Sequence, residues 1–535
     1  MDPEGLIRNL LSRGVMIEPK AVEYLRKYPS IITELQTLNK DVEFVTLDFL
    51  ESLNPNRKTT DDAISSRSSP LQDQGGMPIT SQFATDAGVR ILCEYKESFA
   101  HHRGKVADFI EYFSSRYDQL ASLLKSRPEL SNITSCMHLN SSSSKRRYSS
   151  SDRENGGSGE NNKVSVIGMV YNKRQSKAGH LIVELEDPTG SVNVILLKDR
   201  DVFTKMSDQL VFDEVVGVCG GMSKDGGAIF ATDVIVPDVP VDVPWPSITS
   251  ASNAVFISDI HVGSKVFLKD VFENFLEWIG DENNPTARRV KYLFIAGDLV
   301  DGVGVYKGQQ KELEITDIIE QYGELAKLLR KVPKRITMFA CPGNHDASRD
   351  SEPQPPVPEE FAKPLYEIEN LVMTSSPSLI KVDGATVLMS HGTSLDGIID
   401  AMPGLRRIGY DRPEQAMIQL LKKRHLMPVY GEKNKTFPEM TDGLVIKDVP
   451  NVFHAGHVHS FGFQNYRGIR VLNSSTFQGR TNFQVKVGHH PTPGRIPFMD
   501  LRTGRVGVMD FSSRENESPS PLTTAEEAKE IAQGG

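Results

Sequence analysis

The stretch at residues 253–261, NAVFISDIH, sets the reading of this chain: a short apolar strand ends, and Asp259 and His261 follow at once. The same punctuation recurs downstream. KYLFIAG leads into Asp298 within Gly-Asp-Leu-Val-Asp, and ITMFACPG leads into Asn344-His345-Asp346. ATVLMS runs into His391-Gly392, and NVFHAG into His457-Val458-His459. Helical patterns at about 267–280 and 312–331 separate the first three strands, the alternation expected of an α/β sheet. Sites in such sheets gather in the crevice beyond the carboxyl ends of the strands, which is where these five groups fall.

Taken singly, the pieces carry little: a lone Asp-x-His or Gly-Asp is common, and any one of His261, His391 or His457 reads as an ordinary core or surface histidine. Five groups in order, each at a strand end, make a pattern. Two divalent ions held about 3.5–4 Å apart need a bridging carboxylate, neutral imidazoles and further oxygen donors, and such a pair activates water and clamps an in-line displacement at phosphorus. Nitrogen and oxygen donors without thiolates suit manganese, iron or zinc better than calcium. The expected cofactor is therefore a pair of divalent cations, manganese first, with iron or zinc as alternatives. The four cysteines (Cys93, Cys136, Cys219, Cys341) are scattered without a CxxC pair, which argues against a disulfide framework or a cysteine zinc site.

At 535 residues the chain is too long for one core. Residues 1–52 predict a small helical N-terminal module, in which PEGLIRNLLSRG spaces Leu6, Leu10 and Leu11 helically before Gly14. Linker composition follows over 53–90, and 91–137 predicts a helical segment with Val106, Phe109, Ile110, Phe113, Tyr117 and Leu120 at helical period. The serine-rich stretch 138–162 predicts a disordered linker. Between 163 and 240 five short Val- and Ile-rich strands, with a brief helical piece (DVFTKMSDQ) between the third and fourth, predict an OB-fold barrel. These strands carry few aromatics, so DNA contact and a scaffolding or docking role both stay open for the barrel. A Pro-rich hinge, VPDVPVDVPWPS, leads to the chemistry-bearing part at 250–512, and 513–535 predicts a disordered tail.

The net charge of −9 weakens a nucleic-acid reading without deciding it, since basic runs such as Leu405-Arg406-Arg407 and Lys422-Lys423-Arg424-His425 survive locally. The mean hydropathy is −0.33. No run approaches the roughly 18 apolar residues of a membrane helix, and MDPEGLIRNLLSRG lacks the pattern of a signal peptide. A cytoplasmic protein without membrane contact is expected.

The ordered series D-x-H, G-D-x-x-D, G-N-H-D, H-G, G-H-x-H resembles the calcineurin-like metallophosphoesterase superfamily. That resemblance implies an α/β multidomain chain whose metallophosphoesterase domain, a β-sandwich flanked by helices, follows the OB-fold barrel. It also implies that Asp259, His261, Asp298 and His459 hold one metal. Asp298, Asn344, His391 and His457 would hold the other, with Asp298 bridging. His345 matches the family's catalytic histidine, which is not a ligand, and Asp346 would orient it. Asp301 is read as loop-forming or supporting, and His454 as a core or supporting residue.

A barrel directly before such a domain is the arrangement of the small B subunits of replicative DNA polymerases. With every ligand position filled, the chain resembles the archaeal family D small subunit. The likeness runs through DFIEYFSSRYDQLASLL, VSVIGMVYNKRQSKAGHLIVELEDPTG, FIAGDLVDGVGVYKGQ and PGNHDASRDSEPQPPVPEEFAKPLYE, over about 100–512. It implies 3′→5′ exonucleolytic proofreading of single-stranded or mispaired 3′ ends of DNA at the replication fork. The implied partner is the large catalytic polymerase subunit, with other replisome proteins as further candidates. No clamp-binding peptide of the Gln-x-x-hydrophobic-x-x-aromatic-aromatic type is evident. The rival readings are a catalytically silent assembly subunit and a stand-alone phosphatase or phosphodiesterase.

Overall fold

The computed structural model describes residues 16–17, 44–45, 88–95, 104–139, 163–223, 227–431, 435–487, 489–512 and 520–522. The chain divides into two units, residues 1–75 and 76–535. In the first, Met16–Ile17 pairs in parallel with Phe44–Val45. The rest of the helical module expected over 1–52 lies outside the described residues, as do most of the linker at 53–90 and the serine-rich segment after Leu139.

Two sheets face each other in the second unit. One runs in the order Leu371–Met373, Thr337–Cys341, Val290–Ala296, Asn253–Ile257, Arg495–Asp500, Arg505–Asp510, Ser520–Leu522. Its first four strands are parallel, and helices Lys269–Gly280, Ile318–Leu329 and Glu359–Tyr366 make the crossovers. The other runs Gly462–Tyr466, Ile469–Asn473, Val452–Ala455, Ala385–Met389, Ser378–Val382, Val89–Glu94.

The strand sequences explain this sandwich. Side chains alternate between faces, and both faces of NAVFI and YLFIA are apolar. Phe256, Phe294 and Phe339 stack with centroids 5.2 and 5.1 Å apart and pack against Val387, Met389, Val452 and Leu472 of the facing sheet. Val255, Ile257, Leu293 and Ile295 point the other way, into Phe272, Phe275, Leu325 and Leu329 of the covering helices. Each buried aromatic or leucine side chain contributes about 1.5–3 kcal/mol, so the strands ahead of the Asp and His motifs are rigid.

The barrel is closed, in the order Lys163–Gln175, Leu181–Asp187, Gly190–Leu196, Ala228–Ile235, Val215–Met222. The helix Asp201–Met206 lies between the third and fourth strands in sequence, as expected. Helix Val106–Lys125 buries Tyr112, Arg116, Leu120 and Leu124, one stripe at i, i+4 spacing. Arg116 Nε donates to Asp442 Oδ2 at 2.7 Å, and Asp442 also pairs with His425. A second buried pair, Lys423 with Glu214 at 2.7 Å, joins the barrel to the sandwich.

Two expectations need correction, and the Pro-rich stretch gains a defined place. Residues 89–94, placed at the seam of linker and helical segment, form an edge strand antiparallel to Ser378–Val382; the alternation in VRILCE puts Val89 into the sandwich core. Ser520–Leu522, placed in the disordered tail, pairs with Val506–Val508. The Pro-rich hinge is strapped down: Val239 and Val243 are buried, and the Trp245 indole N–H donates to Leu501 O at 2.8 Å.

Candidate metal centre

The donors come from both sheets. Asp259, His261, Asp298 and Asn344 leave the carboxyl ends of Asn253–Ile257, Val290–Ala296 and Thr337–Cys341, while His391, His457 and His459 leave Ala385–Met389 and Val452–Ala455. Chain direction must turn sharply there. Asp259, His261, Asp298, His457 and His459 all hold left-handed backbone, with φ of 50°, 53°, 48°, 72° and 57°. A residue with a side chain in that region costs on the order of 1–3 kcal/mol and marks functional sites. Gly343 permits the convergence: a Cβ there would lie 2.2 Å from Asp298 Oδ1.

Asp298 stands between two groups of donors. Its Oδ2 lies 3.5 Å from His261 Nε2, and that ring neighbours His459 Nε2 at 3.1 Å. His459 Nε2 is in turn 3.3 Å from Asp259 Oδ1. The other oxygen, Oδ1, lies 3.3 Å from His391 Nε2. Asn344 Oδ1 is 3.0 Å from both His391 Nε2 and His457 Nδ1. Ligand atoms of Asp259, His261, Asp298 and His459 all fall within 4.8 Å of one another.

This donor set fits cations. His391 Nδ1 donates to Ala296 O at 2.8 Å, so Nε2 faces the amide oxygen of Asn344 at 3.0 Å and that contact needs either a second ring proton or a cation between the two atoms. Among the described residues no lysine or arginine pairs with Asp259, Asp298 or Asp301. Burial raises the Asp298 carboxyl, and His391, His345 and His261 outweigh it, holding the group well below the usual carboxylate range. Asp259 is also held low, its burial opposed first by His459. Burial lowers His261 and His391, but Asp301 and Asp298 carry the first to about 9 and Asp298 carries the second to about 10. A cation held here would displace such ring protons and leave the imidazoles as neutral donors.

Of the supporting contacts, sequence pointed only to Asp301. Asp301 Oδ1 lies 3.0 Å from His261 Nδ1 and accepts from Gln478 Nε2 at 2.8 Å. Gln484 Nε2 lies 3.0 Å from His459 Nδ1. Ser258 Oγ donates to Asp259 Oδ2. These glutamines sit more than two hundred residues from the first motif and are not metal-type side chains, so only the fold could reveal them. Asp396 Oδ2, 3.4 Å from His457 Nε2, is likewise new.

His345 lies beside the donors, with ligand atoms of His261, Asp301 and His345 within 4.8 Å of one another, and its Nδ1 donates to Asp301 O at 2.7 Å. The role expected for Asp346 is corrected here. Its carboxylate does not orient His345 but accepts from Gly343 N, Leu299 N and the Tyr322 hydroxyl, at 2.9, 3.1 and 2.9 Å. Buried amides outcompete the ring because unpaired they would cost more. Burial and Asp298 push this carboxyl up to about 7 despite those bonds. His454 stays in the core: its Nε2 meets Ser474 Oγ at 2.9 Å and its ring sits edge-on to Phe256.

Comparison with known proteins places this geometry. Residues 254–463 match the family of DNA polymerase alpha/epsilon B subunits, and 164–239 match the OB-fold nucleic acid binding domain. The DNA polymerase II small subunit of Methanothermobacter thermautotrophicus is 41% identical over 76% of this chain and 80% of its own. Those of Archaeoglobus fulgidus and Thermoplasma acidophilum are each 34% identical, covering 93% and 96% of this chain and 96% and 94% of their own. Among solved structures, a Vps29 from Entamoeba histolytica aligns with 51% of this chain and 99% of its own at 12% identity and a TM-score of 0.26. No described helix is long and apolar enough to cross a membrane. The chain belongs to the family of archaeal DNA polymerase II small subunits, the small subunits of family D DNA polymerase.

Proposed function

We propose that this subunit is a two-metal phosphodiesterase of the calcineurin-like kind that trims single-stranded or mispaired 3′ ends of DNA for its polymerase. One observation supports the reading: each oxygen of Asp298 faces a separate cluster of nitrogen and oxygen donors, the arrangement a carboxylate needs to bridge two cations. Asp259, His261 and His459 would complete one site, and Asn344, His391 and His457 the other. Manganese suits this set of nitrogen and oxygen donors, with iron or zinc as alternatives. When bound, such cations supply Lewis-acid polarisation of the phosphodiester and activation of water.

The chain's own groups do the rest. With Nδ1 held by Asp301 O, His345 keeps Nε2 as the ring nitrogen free to hold or give a proton. Burial keeps this histidine below its ordinary value, so its imidazole starts neutral with its one proton on Nδ1, and Nε2 would take a proton from the attacking water and pass it to the leaving oxygen. Asp301 fixes two rings at once, His261 through its carboxylate and His345 through its carbonyl. A frayed end is cheaper to separate from its partner strand than a paired one, which biases cleavage toward mismatches. The large catalytic subunit is the partner, and the barrel is the candidate path for the strand.

The test is digestion of 5′-labelled single-stranded and 3′-mismatched DNA with manganese, comparing the unaltered chain with His345→Ala and Asp298→Ala. A ladder shortening from the 3′ end, lost in both variants, supports the reading. No degradation even with the large subunit present makes this chain an assembly subunit.

A further inference from the structure

A short loop, 302–308, lies beside His345 at the edge of the candidate metal centre. It exposes Val303, Val305 and Tyr306, each 38–40% accessible. Its placement is fixed at four points. A Cβ at Gly302 would lie 2.2 Å from His345 O, so the loop rests on the histidine's own backbone. Gln309 Oε1 accepts from Val305 N at 2.9 Å, and its Nε2 donates to Asp301 O at 2.7 Å, the same carbonyl that holds the His345 ring. The Tyr306 hydroxyl donates to Glu312 Oε2 at 2.8 Å. That leaves the ring 6.3 Å from the His345 ring, centroid to centroid.

Scattered exposed apolar residues are ordinary. Three within four positions, tethered at the rim of a charged centre, are not scattered. Any nucleotide cleaved at that centre brings its base within a few ångströms of the phosphorus. Stacking on an aromatic face is indifferent to which base is present, because every base has a π-face. We infer that Tyr306, flanked by Val303 and Val305, is the platform on which the terminal base of the DNA strand stacks. The inference rests on the nuclease reading above and adds a discrimination to it. A frayed base is free to stack on Tyr306, whereas a paired one remains in its duplex.

The test reads binding rather than cleavage. A single strand ending in 3′-terminal 2-aminopurine is titrated with the full chain carrying His345→Ala, which keeps the end intact. The titration is repeated after adding Tyr306→Phe or Tyr306→Ala. Quenching of the probe is expected with Tyr306 and with phenylalanine, and its loss with alanine, together with at least about fivefold weaker binding. Equal quenching and affinity in the alanine variant would overturn the inference, as would no quenching with Tyr306 in place. Unchanged DNA binding with loss of the large subunit from Tyr306→Ala would make the loop a protein-docking surface instead. Quenching by the His345→Ala chain combined with no cutting of DNA by the chain that retains His345 refutes the nuclease reading while leaving the platform in place.

Discussion

Asp301 offers a graded perturbation of the centre, because its two kinds of oxygen hold different rings. The carboxylate reaches His261 Nδ1 at 3.0 Å and accepts from Gln478 at 2.8 Å, while the carbonyl holds His345. Asp301→Asn can keep an oxygen facing both His261 and Gln478, since the displaced amide nitrogen then meets only a Gln309 contact of 3.4 Å. It loses the negative charge that makes His261 basic. Asp301→Leu removes the acceptor and leaves the His261 and Gln478 donors buried without partners. Contacts behind a metal-ligating histidine are worth about 10–100-fold in metal affinity, or about 1.4–2.8 kcal/mol. We expect asparagine at the low end and leucine at the high end, measured by calorimetric titration with manganese. His345 keeps its backbone acceptor in both variants, so excess manganese should restore cleavage by Asp301→Asn. A leucine variant that binds manganese within about twofold of the unaltered chain would refute the assignment of Asp301.

Asp442→Ala strands Arg116, 1% exposed, without its buried partner, and should cost about 3–5 kcal/mol in denaturant unfolding. The paired change Arg116→Met with Asp442→Leu should recover most of that loss. His454 is held down to about 3 by burial, below the unfolded value of about 6.5. The folded state therefore binds fewer protons, and its share of stability is complete above the unfolded value and drains away as pH falls toward 3. His454→Phe should flatten that acid limb by up to about 1.4 kcal/mol per pH unit in pH-dependent unfolding, and an unchanged slope would contradict the burial argument. Manganese at about a hundred times its dissociation constant should raise stability by about 2.7 kcal/mol, reversed by chelator. The gain should vanish in a His391→Ala, His459→Ala double variant.

The strand ends were legible because two-sided burial writes itself as an unbroken apolar run, and the residues just past the end of such a run are unusually constrained. All seven expected metal-ligating side chains, with His345, converge for that reason. The barrel was legible from strand count and the position of its helix. What sequence could not convey was choice among competing partners. Asp346 is adjacent to His345 in the chain, yet its carboxylate turns to the amides of residues 299 and 343. Gln478 and Gln484 look like ordinary polar loop residues until the fold sets them beneath His261 and His459. The strand at 89–94 was misread because a single edge strand gains its meaning from the hairpin it joins, nearly three hundred residues away.

The left-handed backbone at five donor positions sets folding against chemistry. Glycine at Asp259, His261, Asp298, His457 or His459 would relieve backbone strain while deleting a donor. Each of these side chains is therefore kept against a local gradient toward stability, which the proposed metal chemistry would account for. A descendant relieved of that activity would drift downhill at these same positions, and its fold would tighten as its chemistry was lost.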